Sequence, residues 1–329
     1  MTASAPVALV TGSAGFIGSH TVDALMATGC RVLGIDNLSA GSRANLRQWD
    51  GEPRHTFLEA DVTEGFESVL DDAASRLGPV DCIVHLAART MVPLSVEDPI
   101  TDIRVNLEGT VKILEYARRR RIRKVVFASS SAVYDDDAPV PVSEESRVRP
   151  SSPYGIDKLG SELFLDYYAR VHGLTFTTLR FMNVYGPRQD PESDYSGVIS
   201  VFLDRALSGR PITIFGDGEQ TRDFVHARDV ARAVVSACAS GVGDHAVINI
   251  GSAEETSINR LARMILDLTE SKSPIRYAPL RLGDIKRSVT TSDRARALLG
   301  FSPAVGLREG LAETLAWVRQ TRQSTEVVA

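Results

Sequence analysis

The chain has 329 residues, 43% hydrophobic and 24% charged, with a formal net charge of −5. That length suits one large α/β domain with an annex or two lobes, and the acidic balance argues against nucleic acid or an anionic membrane as the main partner. No apolar run approaches the roughly 18 residues of a membrane span, the start MTASAPVALV lacks a basic leader region, and Cys30, Cys82 and Cys238 form no C-x-x-C. These features point to reduced thiols, no metal centre and a cytoplasmic location.

In chain order, residues 7–11 read as a buried strand running into Gly12, Gly15 and Gly18, spaced three apart. Gly12 lets the chain turn, Gly15 lets the backbone approach a pyrophosphate, and Gly18 lets the next helix pack closely. That helix, opened by Phe16 and Ile17, presents free N–H groups and a positive dipole end to phosphates. Strand 31–36 ends at Asp36, followed by Asn37. A carboxylate there accepts hydrogen bonds from both ribose hydroxyls and repels a 2′-phosphate, which favours NAD, with Arg43 keeping NADP open. Strand 55–59 leads to Asp61-Val62, a clamp for the adenine edge. Strand 82–86 leads through His85 to Leu86, Ala87 and Ala88, small enough for a cofactor to cross the strand tips.

Helical periodicity covers ITDIRVNLEGTVKILEYARRRR, and the arginines at 118–121 read as cations at a helix C-terminus on a solvated face. Strand 124–129 runs into the serines of FASSSAVY, and Asp135, Asp136 and Asp137 read as a solvated acidic loop. Pro153 suits the first turn of a helix that carries Tyr154 and Lys158 four apart on one face. A phenol with a pKa of about 10 is a poor base. A neighbouring ammonium and a cationic nicotinamide lower that value, and a serine hydroxyl can share the proton. Strand 175–180 follows. Beyond Asn183 the pattern loosens, with more Gly, Pro and Asp, although HAVINIG reads as a strand that could rejoin the first domain. Strands alternating with helices, several apolar on both faces, define a doubly wound parallel α/β sheet.

The motifs TGSAGFIGS, HLAA, SSSAVY, YGIDK, RFMNVYGPRQDP, FGDGEQTRDFVHARDVARA and RLGDIKRS, in that order, resemble those of the extended short-chain dehydrogenases/reductases. Within them the resemblance is to nucleotide-sugar 4-epimerases acting on UDP-hexoses, and it covers nearly the whole chain. It implies a Rossmann-type domain over 1–181, rejoined by about 224–251, and a smaller, discontinuous UDP-sugar-binding lobe within 182–329. It implies Tyr154 as base, Lys158 as ribose-binding lysine and Ser130 as hydroxyl partner. NAD contacts would come from Gly12, Gly15, Phe16, Ile17, Gly18, Asp36, Asn37, Asp61, Val62, Leu86, Ala87, Ala88, Ser129, Tyr154, Lys158 and Phe181. The sugar nucleotide would meet Arg89, Ser130, Ser131, Asn183 and Thr213, with Gly197 and Val198 against the uracil. Arg222, Arg281 and Asp284 would hold the diphosphate and uridine ribose.

Sister 4,6-dehydratases carry an Asp-Glu pair after the hydroxyl residue, and sister uronate decarboxylases a Glu two before the Tyr of V-Y. Here Ser131 and Ala132 stand at those positions. Oxidation at C4 to a keto sugar and re-reduction from the opposite face then remain, with NAD retained as a prosthetic group. UDP-glucose/UDP-galactose, UDP-N-acetylglucosamine and UDP-glucuronate all stay open, the last because Arg89 follows HLAA. A dehydratase, decarboxylase or reductase of the same family is the alternative, and a non-catalytic NAD-binding regulator the remote one. Relatives dimerise through a four-helix bundle, and helices 102–118 and 154–171, apolar beyond one face, are the candidates for a homodimer here.

Overall fold

The computed structural model describes residues 5–189, 197–239, 241–280 and 285–326. Arg281 and Asp284 lie outside these described residues. The strands are β1 (Val7–Thr11), β2 (Arg31–Asp36), β3 (His55–Glu59), β4 (Cys82–His85), β5 (Lys124–Ser130), β6 (Thr175–Phe181), β7 (Asn183–Tyr185), β8 (Ile212–Phe215), β9 (Thr221–His226), β10 (Ala246–Ile250), β11 (Glu255–Ser257) and β12 (Ile275–Ala278). The helices are α1 (Phe16–Ala27), α2 (Phe66–Leu77), α3 (Val92–Glu97), α4 (Pro99–Ile103), α5 (Gly109–Arg120), α6 (Pro153–His172), α7 (Val198–Leu207), α8 (Ala227–Cys238), α9 (Ile258–Thr269), α10 (Asp293–Leu299) and α11 (Leu307–Glu326).

Seven strands form one sheet in the order β10-β6-β5-β4-β1-β2-β3, all pairs parallel. Each central strand is apolar on both faces because helices cover both. On one face Val22, Leu25 and Met26 of α1 pack with Val230, Ala233, Val234 and Ala237 of α8 over Val10, Val84 and Val126. On the other, Leu70 of α2, Ile113 and Leu114 of α5 and Leu165 of α6 lie over Leu9, Ile83 and Val125. From β1 the chain builds outward through β2 and β3, then returns to build the other way from β4. The point of reversal lies between β1 and β4, where an open α/β sheet forms a crevice at its carboxyl edge.

A second core joins α7, α9 and α11 to β8 and β9 through Phe202, Leu203, Ile214, Phe224, Leu261, Ile265 and Leu311. It carries the β11-β9-β7 and β12-β8 sheets. Strands of three to six residues are too short for a period-2 pattern to stand out, which is why the sequence looks strand-poor here.

Two expectations are corrected. The helix read over 102–118 is interrupted: a π-turn spans Arg104–Glu108 between α4 and α5, where Asn106 is drawn into bonds with the backbone of Arg89. The acidic loop is not uniformly solvated either. The Asp135 side chain is largely buried, 3.4 Å from Arg147 and 4.0 Å from Arg149, while Asp136 and Asp137 are exposed. The arginine run behaves as a solvated face, with Arg118, Arg119 and Arg120 paired to Glu115, Glu67 and Asp71. Among the described residues no helix is long and apolar enough to cross a membrane.

Candidate active site

Parallel pairing brings the C-terminal ends of β1, β2, β4, β5 and β6 to one edge. Residues 12–18, 36–37, 86–89, 129–131 and 181 therefore converge although the chain separates them widely. At the β1–α1 turn Gly12 adopts φ +69°. A Cβ on Gly18 would stand 1.9 Å from Gly12 O, so any larger residue would push α1 off the turn. Gly15 caps α1 with no side-chain hydrogen bond, leaving first-turn N–H groups for a ligand.

Asp36 is 8% exposed. Its Oδ2 accepts from Ala14 N at 2.9 Å and its Oδ1 from Leu38 N at 2.8 Å. Burial pushes this carboxyl above its usual value, against the pull of the backbone N–H groups of Leu38, Ala14 and Gly15. Gly41 lies over it, close enough that a Cβ would stand 3.0 Å from both carboxylate oxygens; no motif spacing pointed to that residue. Arg43 turns elsewhere, onto the face of Phe57 at 4.3 Å and to Asp50 at 3.2 Å. Asp61 Oδ1 accepts from Thr63 N and Oγ1, and its Oδ2 from Asn37 Nδ2 at 2.7 Å, tying the ends of β2 and β3 together. Val62 is buried under Gly109.

Leu86 N and Ala87 N donate to Thr11 Oγ1 at 3.2 and 3.1 Å. Thr11 also meets His85 Nδ1 at 2.7 Å, and His85 Nε2 meets Thr110 Oγ1 at 3.1 Å. Burial and then the Lys158 charge push His85 down to about 3, so it is a neutral strut under the 86–88 loop. Two threonines far away in sequence make that role, which no local pattern announces.

The cradle fits a dinucleotide: uncapped helix N–H groups beside glycines that leave no side chain in the way, and a buried carboxylate at the end of β2. NAD, which contains a pyrophosphate and ribose hydroxyls, matches this donor and acceptor set. Among the described residues no cluster of His, Cys, Asp and Glu could hold a metal ion.

Across the crevice, Ser152 caps α6 by accepting from Gly155 N at 3.2 Å, with Pro153 as its first residue. A Cβ on Gly155 would stand 2.4 Å from Ala132 O. Its absence lets α6 lie directly against the turn Ser131–Val133 and sets the Tyr154 hydroxyl beside Ser130. Ser130 Oγ accepts from Ala132 N at 3.2 Å. Burial pushes the Tyr154 phenol up to about 12, with Ser130 acting the other way. Lys158 Nζ donates to Ala128 O at 2.8 Å, 4.8 Å from the Phe127 ring centroid and 5.8 Å from that of Tyr154. Burial lowers Lys158 to about 8. Ser129, next to this group, turns its hydroxyl inward to Glu162 Oε1 at 2.5 Å, and Phe181 is buried at the end of β6.

Arg89 lies 3.7 Å from Asp98 and its backbone is bracketed by Asn106. Asn183 Nδ2 donates to Asp223 O at 3.3 Å. Gly197 and Val198 open α7. Arg222 Nη1 donates to Thr221 O and Ile285 O at 2.8 and 2.6 Å, and Thr213 is exposed on β8 beside Arg276 of β12. Thr213 thus lies on the exposed side of β8, which carries Ile212 and Ile214 into the second core.

A doubly wound parallel sheet with a glycine turn at β1 and a Ser-Tyr-Lys group beyond β5 defines a dinucleotide-dependent class of hydride-transfer proteins. The NAD dependent epimerase/dehydratase family matches residues 8–251, and the chain belongs to it. The UDP-glucose 4-epimerase of Mycolicibacterium smegmatis is 40% identical over 316 residues, 96% of this chain and 99% of that protein. The UDP-glucose 4-epimerase of Thermotoga maritima, solved with UDP-glucose, is 38% identical with a TM-score of 0.89 over 96% of this chain and 99% of its own. The UDP-N-acetylglucosamine 4-epimerase of Methanobrevibacter ruminantium, solved with UDP-N-acetylmuramic acid, is 36% identical with a TM-score of 0.90 over 97% and 99%.

Proposed function

We propose that the protein is an NAD-dependent UDP-sugar 4-epimerase whose substrate pair is UDP-glucose and UDP-galactose. The observation that carries this is the buried Tyr154 beside Ser130 and one helical turn from Lys158, with Ser131 and Ala132, not acids, in the adjoining turn. Elimination of water needs a proton donor for the leaving hydroxyl, and this turn offers none. Two relatives of highest identity above are named UDP-glucose 4-epimerases.

Gly12, Gly15, Phe16, Ile17, Gly18, Asp36, Asn37, Asp61, Val62, Leu86, Ala87, Ala88, Ser129, Lys158 and Phe181 would hold NAD, and Arg43, committed to Phe57 and Asp50, supports NAD over NADP. When bound, NAD supplies a reversible hydride acceptor beside the phenol. Tyr154 Oη takes the proton of the sugar C4 hydroxyl and returns it after the keto sugar has turned its other face. Ser130 Oγ, beside that phenol, shares the proton in transit. Burial holds Tyr154 as the phenol in the ligand-free protein, and the Lys158 charge together with cationic NAD would favour the phenolate that the proton transfer needs. Asn183, Gly197, Val198, Thr213, Arg222, Arg281 and Asp284 would anchor the nucleotide while the hexose stays free to rotate. This divides the chain into a cofactor lobe, 1–181 with about 224–251, and a sugar-nucleotide lobe in the remainder.

The test is incubation with UDP-glucose, UDP-N-acetylglucosamine and UDP-glucuronate separately, following the sugar H4 and anomeric protons by NMR. A C4-inverted product from UDP-glucose without NADH build-up is the expected result. A keto, dehydrated or decarboxylated product would overturn the reaction, and inversion of another sugar alone would overturn the substrate.

A further inference from the structure

Between the π-turn and α6 lie two carboxyl groups that the chemistry above leaves unused. Asp102 of α4 and Asp157 of α6 are 0% and 1% exposed, and the two carboxyls lie close enough for each to act on the other's ionisation. Ionised carboxylate oxygens only accept, so a hydrogen bond between the two needs a proton shared between them. Asp102 Oδ2 is already occupied by Asn106 Nδ2 at 2.9 Å. The same amide donates to Arg89 O at 3.0 Å, and Asn106 Oδ1 accepts from Arg89 N at 2.8 Å. Left over are Asp102 Oδ1 and Asp157 Oδ2, both buried with no hydrogen-bond partner. One shared proton satisfies both; with none, two like charges are held in contact out of water.

The charged and titratable groups around the pair are few. Lys158 adjoins Asp157 on α6, Arg89 faces Asp102 from the loop after β4, and Tyr154 lies a turn back. Asp98, at the start of α4, is turned to Arg89, and Glu162 acts on Lys158. The two cations favour ionisation of the pair, while burial and mutual repulsion oppose it. The second effect wins: Asp157 is pushed up to about 7, chiefly by burial and then by Asp102, and Asp102 is raised by burial as well.

We propose that Asp102 and Asp157 form a proton-sharing carboxyl pair that positions α6, and with it Tyr154 and Lys158, against the loop after β4. The proton ties α6 to α4, and Asn106 carries the tie to the backbone of Arg89. Asp157 is a positioning residue, one place from Lys158 and three from Tyr154, with no contact to a reacting atom. Its effect on turnover rests on the epimerase reading; the proton itself does not.

The experiment compares wild type with Asp157→Asn and its mirror, Asp102→Asn. Each amide replaces the shared proton by an N–H donor that no pH removes. A carboxyl raised in the folded state stabilises less as pH climbs from its unfolded value through its folded one. Wild type should therefore lose Tm relative to both variants between about pH 4 and about pH 8, after which the gap levels off. Infrared spectra of 13C-aspartate protein should show a protonated carboxyl in wild type at about pH 6 that disappears by about pH 9 and is missing from Asp157→Asn. With UDP-glucose, kcat at about pH 8 relative to about pH 6 should fall more in wild type than in Asp157→Asn, with KM moving less than about threefold in either. A Tm gap constant with pH, or no protonated carboxyl in wild type, overturns the pair. A titrating proton with identical kcat profiles overturns its positioning role. The expected infrared and Tm behaviour in a protein that epimerises no UDP-sugar leaves the pair standing and removes the epimerase reading instead.

Discussion

Lys158 is 3% exposed, and its ammonium rests on one backbone carbonyl and the face of Phe127. Burial, the largest cause, lowers it from 10.5 to about 8. At pH 7 the folded protein therefore holds a charge that its surroundings resist, at a cost of about 3 kcal/mol. The cost is present below about 8 and relieved as pH rises from there toward the unfolded value. Without ligands, Lys158→Met should melt several degrees above wild type at pH 7, the advantage shrinking by about pH 10, while epimerisation falls by about 100-fold or more; melting scans at both pH values and the H4 assay check this. Tyr154→Phe should lower kcat by about 10²–10⁴ and shift stability by about 1 kcal/mol or less, since one hydroxyl contact is lost. The spacing of Tyr154 and Lys158 is legible in the sequence because helical geometry sets it. His85 between Thr11 and Thr110, or Asp102 against Asp157, is not, because tertiary packing joins residues 25 to 74 positions apart.

At the scale of elements, α6 is held by polar bonds as much as by its apolar stripe. Arg180 of β6 donates to Glu162 through Nε at 2.9 Å and Nη2 at 2.7 Å, both side chains nearly sealed from solvent, and the guanidinium stacks on Tyr134 at 4.9 Å. Removing one partner leaves an uncompensated buried charge. Glu162→Gln should cost about 3–5 kcal/mol in urea unfolding, and adding Arg180→Met should recover much of it. The β1–α1 turn sets a second limit: Gly18→Ala must displace Gly12 O and should lower Tm and weaken NAD binding together, read by melting with and without NAD. The strands β1, β2 and β3 have the bounds that their apolar runs announce. The π-turn was illegible, since ITDIRVNLEGTVKILEYARRRR keeps its helical period across it and the backbone of Arg89, which Asn106 bonds, lies outside that stretch.

Over the whole molecule, exposed apolar side chains gather on α4 and α6: Ile100 at 75%, Leu163 at 64% and Ile156 at 56%, with Ile103, Tyr167 and Val171. A patch of this kind suits a second copy of the chain, and Leu163→Glu should convert a dimer into a monomer by light scattering. The large sheet has a further property. Its outer strand β10 and the cover helix α8 come from residues 227–250, yet they finish a layer begun at Val7. A ribosome that has made only the first 181 residues has released a sheet whose β6 edge is unpaired and whose Val10, Val84 and Val126 face lacks half its lid. The nascent chain must wait for about 70 more residues before that layer closes, and in that interval it depends on chaperones or on speed to stay out of aggregates.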